Sequence, residues 1–161
     1  MTDFNSLSDA AFVARYASVV EHSPWVVERA AARRPFADLA DGIMAALAAA
    51  TPEERLSVIR AHPELAGRAA IAGTLTEESR SEQASAGLDR MTREEFERFH
   101  ALNAAYRERF GFPFVICVRL TDRAGILRAM AERLAHDREA EIATALTEIG
   151  HIVRLRLETL S

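Results

Sequence analysis

Apolar residues along this chain recur at helical spacing; strict alternation is almost absent. At about 100° per residue, Ile142, Leu146, Ile149, Val153 and Leu160 fall on one stripe of a helix predicted over 138–160, with Leu157 near its margin. Phe96, Phe99, Leu102, Tyr106 and Phe110 form a similar stripe on a helix over 93–110. Start signals supply further elements. Ser23-Pro24 offers an N-cap followed by proline in the first turn, opening a helix from Trp25 toward Arg33. Thr51-Pro52-Glu53-Glu54 and Thr92-Arg93-Glu94-Glu95 are capping boxes. Thr76 caps a short helix expected to run toward Leu88, Gly111 is a C-terminal stop, and another helix fits 122–135. The single strand-like run, Phe114-Val115-Ile116-Cys117-Val118, has no alternating partner, so it reads as a buried extended connection between helices. The expected fold is all-α: one multi-helix domain over 1–161 with that connection near 114–118.

Two polar residues fall inside these apolar stripes. Arg156 lies about 40° from the centre of the last one, whereas Arg154 lies roughly 120° away and His151 on the opposite face. An arginine there keeps its charge and needs an anion or a carbonyl. Either a buried salt bridge or a substrate clamp would serve. Asn103 sits in the other stripe as an amide that orients its neighbours or touches a ligand.

Composition narrows the chemistry. The 161 residues are 49% hydrophobic and 27% charged, enough for a real core in one domain. A net charge of -4 and the lack of a basic run argue against a dedicated nucleic-acid binder. All basic residues are arginine, which excludes lysine Schiff-base and lysine-tethered pyridoxal chemistry. Cys117 is the only cysteine, so no intrachain disulfide can form, and without a base partner in sequence it reads as core. Met1-Thr2-Asp3-Phe4-Asn5 is not a signal-peptide start, no run suffices to span a bilayer, and Thr159-Leu160-Ser161 is not a peroxisomal tripeptide. The expected location is cytoplasmic.

The densest chemistry lies in two nearby segments, His62-Pro63-Glu64-Leu65 and Ser79-Arg80-Ser81-Glu82-Gln83. Pro63 disfavours helical geometry at His62, which places the imidazole where its helix ends. Imidazole, carboxylate, hydroxyl and amide together suit proton transfer beside a small polar ligand. Taken singly, each residue also fits an ordinary role: a helix cap, a solvated acid, a surface amide. A rival constellation is the pair Glu97-Arg98-Phe99-His100 and Glu148-Ile149-Gly150-His151, both with the Glu-x-x-His spacing of di-iron bundles. On the helical wheel Glu97 and His151 point away from their apolar stripes, so the four ligands do not converge. No G-x-S-x-G elbow and no phosphate loop is present.

Taken in order, these segments resemble the 2-oxo-4-hydroxy-4-carboxy-5-ureidoimidazoline (OHCU) decarboxylase family. The likeness runs through Ser23-Pro24-Trp25 with Glu28-Arg29 and Arg34-Pro35-Phe36, then His62-Pro63-Glu64-Leu65-Ala66-Gly67. It continues with Ser79-x-x-Glu82-Gln83-x-x-Ala86-Gly87-Leu88, Asn103-x-x-Tyr106, the run from Phe110 to Arg119, Glu148-Ile149 and Arg154-Leu155-Arg156-Leu157. The resemblance implies an all-helical, cofactor-independent, metal-free homodimer acting on a small ureidoimidazoline and yielding (S)-allantoin. It also implies a catalytic His62 with Glu82 as its acidic partner, and a functional Arg156. Pro63, Ser79, Gln83 and the backbone of Phe114, Val115, Ile116, Cys117 and Val118 would bind the substrate.

Overall fold

The computed structural model describes residues 3–65 and 75–160. Ala66 and Gly67 of the motif above, and Met1, Thr2 and Ser161 read for targeting, lie outside the described residues. Among those described there are eight α-helices, two short 3-10 turns and no strand, so the chain is all-helical. The contacts divide into two compact units, Met1–Ala61 with Ile149–Ser161, and His62–Glu148.

The first unit carries α1 (Asp9–Tyr16), a 3-10 turn (Ala17–Val19), α2 (Pro24–Ala32), α3 (Leu39–Ala48), α4 (Pro52–Arg60) and the second half of the last helix. Ser8 caps α1 by accepting from the Ala11 N–H at 3.1 Å, and Asp38 caps α3 by accepting from Asp41 at 2.9 Å. Neither helix was picked out by apolar periodicity. In α3 the reason is an apolar character spread around the helix, from Ile43 and Met44 to the alanines, which blurs any single stripe. Gly42 on α3 is required by packing: a Cβ there would collide with the Phe36 ring. Ser23 occupies the N-cap position of α2 but makes no capping bond with its side chain; Pro24 in the first turn is the feature that opens this helix. The capping box at Thr51 is present, with Glu54 also taking up the Arg29 guanidinium at 2.5 Å. Arg29 lies over the Trp25 ring, 4.6 Å from its centroid. Arg34 gathers the N-terminal segment by donating to the carbonyls of Phe4 and Leu7 at 2.8 and 2.6 Å.

The second unit holds α5 (Glu77–Ser85), α6 (Arg93–Phe110), the 114–118 segment, a 3-10 turn (Val118–Leu120), α7 (Arg123–Arg133) and the first half of α8 (Arg138–Leu160). Its centre is aromatic: the Tyr106 ring meets Phe110, Phe112 and Phe114 with centroids 4.6, 5.9 and 5.3 Å away. Such tilted and edge-on contacts add to the burial of large apolar surfaces. The Thr92 capping box opens α6, and Gly111 closes it at φ 80°, a left-handed geometry suited to glycine. Helix α5 stops at Ser85, short of Leu88, because the chain turns at Gly87 with φ 79° and the Leu88 N–H returns to the Gln83 carbonyl at 3.0 Å.

The last helix differs from its wheel. Its buried residues are Glu141, Ala145, Ile149, Ile152, Val153, Arg156 and Leu157, while Ile142 and Leu146 are half-buried and Leu160 is 39% exposed. The inward face is rotated at its N-terminal half because Glu141 turns in to meet a buried arginine, Arg133. Leu160, the last helical residue, is left in solvent. Arg156 is buried as the stripe placed it, at 4% exposure.

Candidate active site

His62 opens the second unit, two residues beyond the end of α4, and is 7% exposed. The turn that carries it is pinned to α6 at two points. Glu64 accepts from the Arg107 guanidinium at 2.6 Å, and the Leu65 carbonyl accepts from the Asn103 amide at 2.8 Å. Asn103 therefore orients a neighbour, and its own carbonyl oxygen is buried without a hydrogen-bond partner among the described residues. Pro63, between His62 and Glu64, is half-buried.

Helix α5 buries a polar face. Ser79, Glu82 and Gln83 are inward while Arg80 and Ser81 are exposed, the i, i+3, i+4 pattern of one helical side. Thr76 fixes the start of this helix by accepting from the Ser79 N–H at 3.1 Å. A helix that turns hydroxyl, carboxylate and amide inward is anomalous for a structural element, since buried polar groups demand partners. It packs against the turn that follows the 114–118 segment. Burial pushes the Cys117 thiol up to about 11, and the carboxylates of Glu148 and Glu82 push in the same direction. Glu82 and Cys117 thus act on one another within this unit.

The 114–118 segment is buried at Phe114, Val115, Cys117 and Val118, and half-exposed at Ile116. It is not left to a ligand alone. The Cys117 N–H donates to Glu148 Oε1 at 3.1 Å, and the Val115 carbonyl accepts from Arg133 Nη1 at 2.8 Å. Arg133 also donates to Glu141 Oε1 at 2.8 Å and lies 4.3 Å from the Phe114 centroid. Glu141, with no exposed surface, further accepts from the Tyr106 hydroxyl at 2.5 Å and pairs with His136 Nδ1 at 2.9 Å. Burial and this carboxylate both raise the Tyr106 phenol above its ordinary range. Sequence reasoning passed over Arg133 and Glu141. Placing 122–135 on a wheel finds the first, since Arg133 follows Ile126 and Met130 at helical spacing.

Arg156 belongs to the first unit, where its guanidinium lies 3.6 Å from Glu21 Oε1 and donates to the Ser18 carbonyl at 3.2 Å. Glu21 is itself buried. The salt bridge left open by the helical wheel is therefore present. Arg154 is exposed and donates to Asp38 and Asp41. Of the Glu-x-x-His residues, Glu97 is exposed and paired with Arg93, Glu148 serves Cys117, and both His100 and His151 are exposed.

Comparison with known proteins places the chain in a family. A family model described as OHCU decarboxylase matches residues 5–158. A 2-oxo-4-hydroxy-4-carboxy-5-ureidoimidazoline decarboxylase of Haloferax volcanii is 43% identical over 156 residues, 95% of this chain and 90% of that one. One from Mus musculus is 41% identical over 163 residues, covering 99% and 92%. The crystal structure of an (S)-allantoin synthase superposes with a TM-score of 0.74 at 27% identity, covering 98% of this chain and 52% of that one. By a family match along nearly its whole length, and by relatives above two-fifths identity, the chain belongs to the OHCU decarboxylase family.

Proposed function

We propose that this chain decarboxylates OHCU and releases (S)-allantoin in urate degradation, using neither a metal nor an organic cofactor. One observation carries the reading: a chain matched by the family model over residues 5–158 buries His62, Ser79, Glu82 and Gln83 together in one unit.

The chemistry follows from the substrate. The leaving carboxylate sits on C4, the ring carbon that also bears the hydroxyl, beside the C5=N bond. Loss of CO2 leaves an electron pair that C5=N takes up as an enol; loss of the hydroxyl proton with protonation of C5 then gives the C4 carbonyl of allantoin. The protein must orient the carboxylate, stabilise the developing negative charge, and deliver a proton to one face. Imidazole is suited to trading protons near neutral pH, so His62 takes the proton-transfer role, at the substrate hydroxyl or at the developing carbanion. Glu82 sets its orientation and charge. Pro63, Ser79 and Gln83 shape the site, and main-chain N–H groups of the Phe114–Val118 segment bind ring oxygens. Cys117 contributes there through its position, because its N–H already serves Glu148. Arg156 is assigned to a substrate anion or carbonyl; its burial and its match to the family's C-terminal arginine support that role. Protonation from one fixed side makes the product a single enantiomer. The same reading includes a cytoplasmic homodimer.

The test is a coupled assay. Urate is converted by the two preceding enzymatic steps to fresh OHCU, and optical rotation is followed with and without this protein. Dextrorotatory allantoin should form faster with it, and a chelator should not slow the reaction. A rate equal to spontaneous decay would overturn the assignment.

A further inference from the structure

The proposed substrate-binding segment is gripped from its protein side by charges that the reaction does not consume. Arg133 holds the Val115 carbonyl at 2.8 Å and spans the Phe114 ring at 4.3 Å, while Glu141, fully buried, holds Arg133 at 2.8 Å. Two residues further on, Glu148 holds the Cys117 N–H at 3.1 Å. Between these two anchors sits Ile116, half-exposed, and its N–H makes no hydrogen bond among the described residues.

The anchors dictate where that N–H points. The Val115 carbonyl and the Ile116 N–H belong to one trans peptide plane, so they point in opposite directions. By taking the carbonyl toward the buried ion pair, Arg133 turns the Ile116 N–H away from it. A backbone donor held partly out of water and left unpaired is costly, and an acceptor brought by a ligand repays that cost. An arginine suits this place because its planar fork serves Glu141 from Nε and Val115 from Nη1 at fixed positions, whereas an ammonium would have to serve both from one nitrogen without that fork.

We propose that Arg133 is a positioning residue for substrate binding, aiming the Ile116 N–H at a carbonyl oxygen of the ureidoimidazoline. This rests on the decarboxylase reading and narrows the binding segment to one peptide. Glu141 keeps Arg133 in place, and Tyr106 supports Glu141 without touching the segment's carbonyl.

The experiment compares the full-length wild type, Arg133→Lys and Tyr106→Phe in the coupled assay and by amide NMR during titration with allantoin. Arg133→Lys should raise KM about tenfold with kcat changed less than about twofold, the loss expected when one ligand hydrogen bond is misaimed. Tyr106→Phe should lower stability and leave KM unchanged. In the wild type the Ile116 amide resonance should move on adding allantoin, and in Arg133→Lys it should not. A wild-type KM in Arg133→Lys overturns the inference, as does an Ile116 amide that allantoin leaves unmoved in an active wild type. A wild type inactive in the coupled assay overturns the decarboxylase reading and this inference with it. Should Arg133→Lys fail to fold, Glu141→Gln, which loosens the hold on Arg133, takes its place under the same two readouts, and an unchanged KM and Ile116 shift there overturn the inference.

Discussion

His62, the proposed proton-transfer residue, is held where its chain is stopped and then tied down. Pro63 ends the helical path, and Glu64 and Leu65 fasten the next two residues to α6. Replacing His62 by asparagine keeps the size and one hydrogen-bonding edge but removes the imidazole assigned to proton transfer. Activity should fall by about a hundredfold or more with unchanged helical circular dichroism; full activity would remove His62 from the mechanism. Cys117 gives a pH prediction. Its thiol ionises at about 11 in the fold against 9.0 ordinarily, so the unfolded chain releases this proton first as pH rises. Stability linked to this group is complete below about pH 9 and is lost between there and pH 11, by at most roughly 3 kcal/mol. Denaturant midpoints should fall over that window in the wild type and less in Cys117→Ala. At this scale the sequence was readable where a polar residue interrupted an apolar stripe, as at Arg156. It was silent at Glu141, whose turn inward depends on meeting Arg133 in three dimensions.

Among the elements, those with both members of a capping box in the sequence were legible to the residue. Helices α4 and α6 begin where Thr51 and Thr92 place them because each box is a local chemical exchange, independent of tertiary contacts. Helices α1 and α3 were missed although Ser8 and Asp38 cap them, because a lone cap without a clean apolar period is a weak signal. The extended 114–118 segment was legible as irregular but not as anchored, since its partners Arg133 and Glu148 come from other elements. Thr92→Ala should lower stability by about 1 kcal/mol, because the Glu95 N–H loses its acceptor at 3.1 Å. A thermal or denaturant midpoint equal to wild type would mean that the α6 start is held by packing instead.

For the whole molecule, the all-helical class was plain from helical periodicity and recurring caps, whereas the grouping into two units was not. The second unit is inserted into the first, entered at His62 and left at Ile149 inside an uninterrupted α8. Neither crossing carries a linker composition, so the boundary leaves no trace in a linear reading. The decarboxylase family was legible for the opposite reason: its motifs are short, ordered and spread along the chain, and order survives without knowledge of contacts. One packing detail makes the grouping measurable. Trp25, stacked by Arg29, is the sole tryptophan and lies in the first unit; Cys117 is the sole cysteine and lies in the second. Indole emission and thiol accessibility therefore form a pair of built-in reporters, one for each body, with no label to introduce. If emission and thiol reactivity change at the same denaturant concentration, the two bodies melt as one cooperative block; if they separate, the order of the transitions names the weaker one.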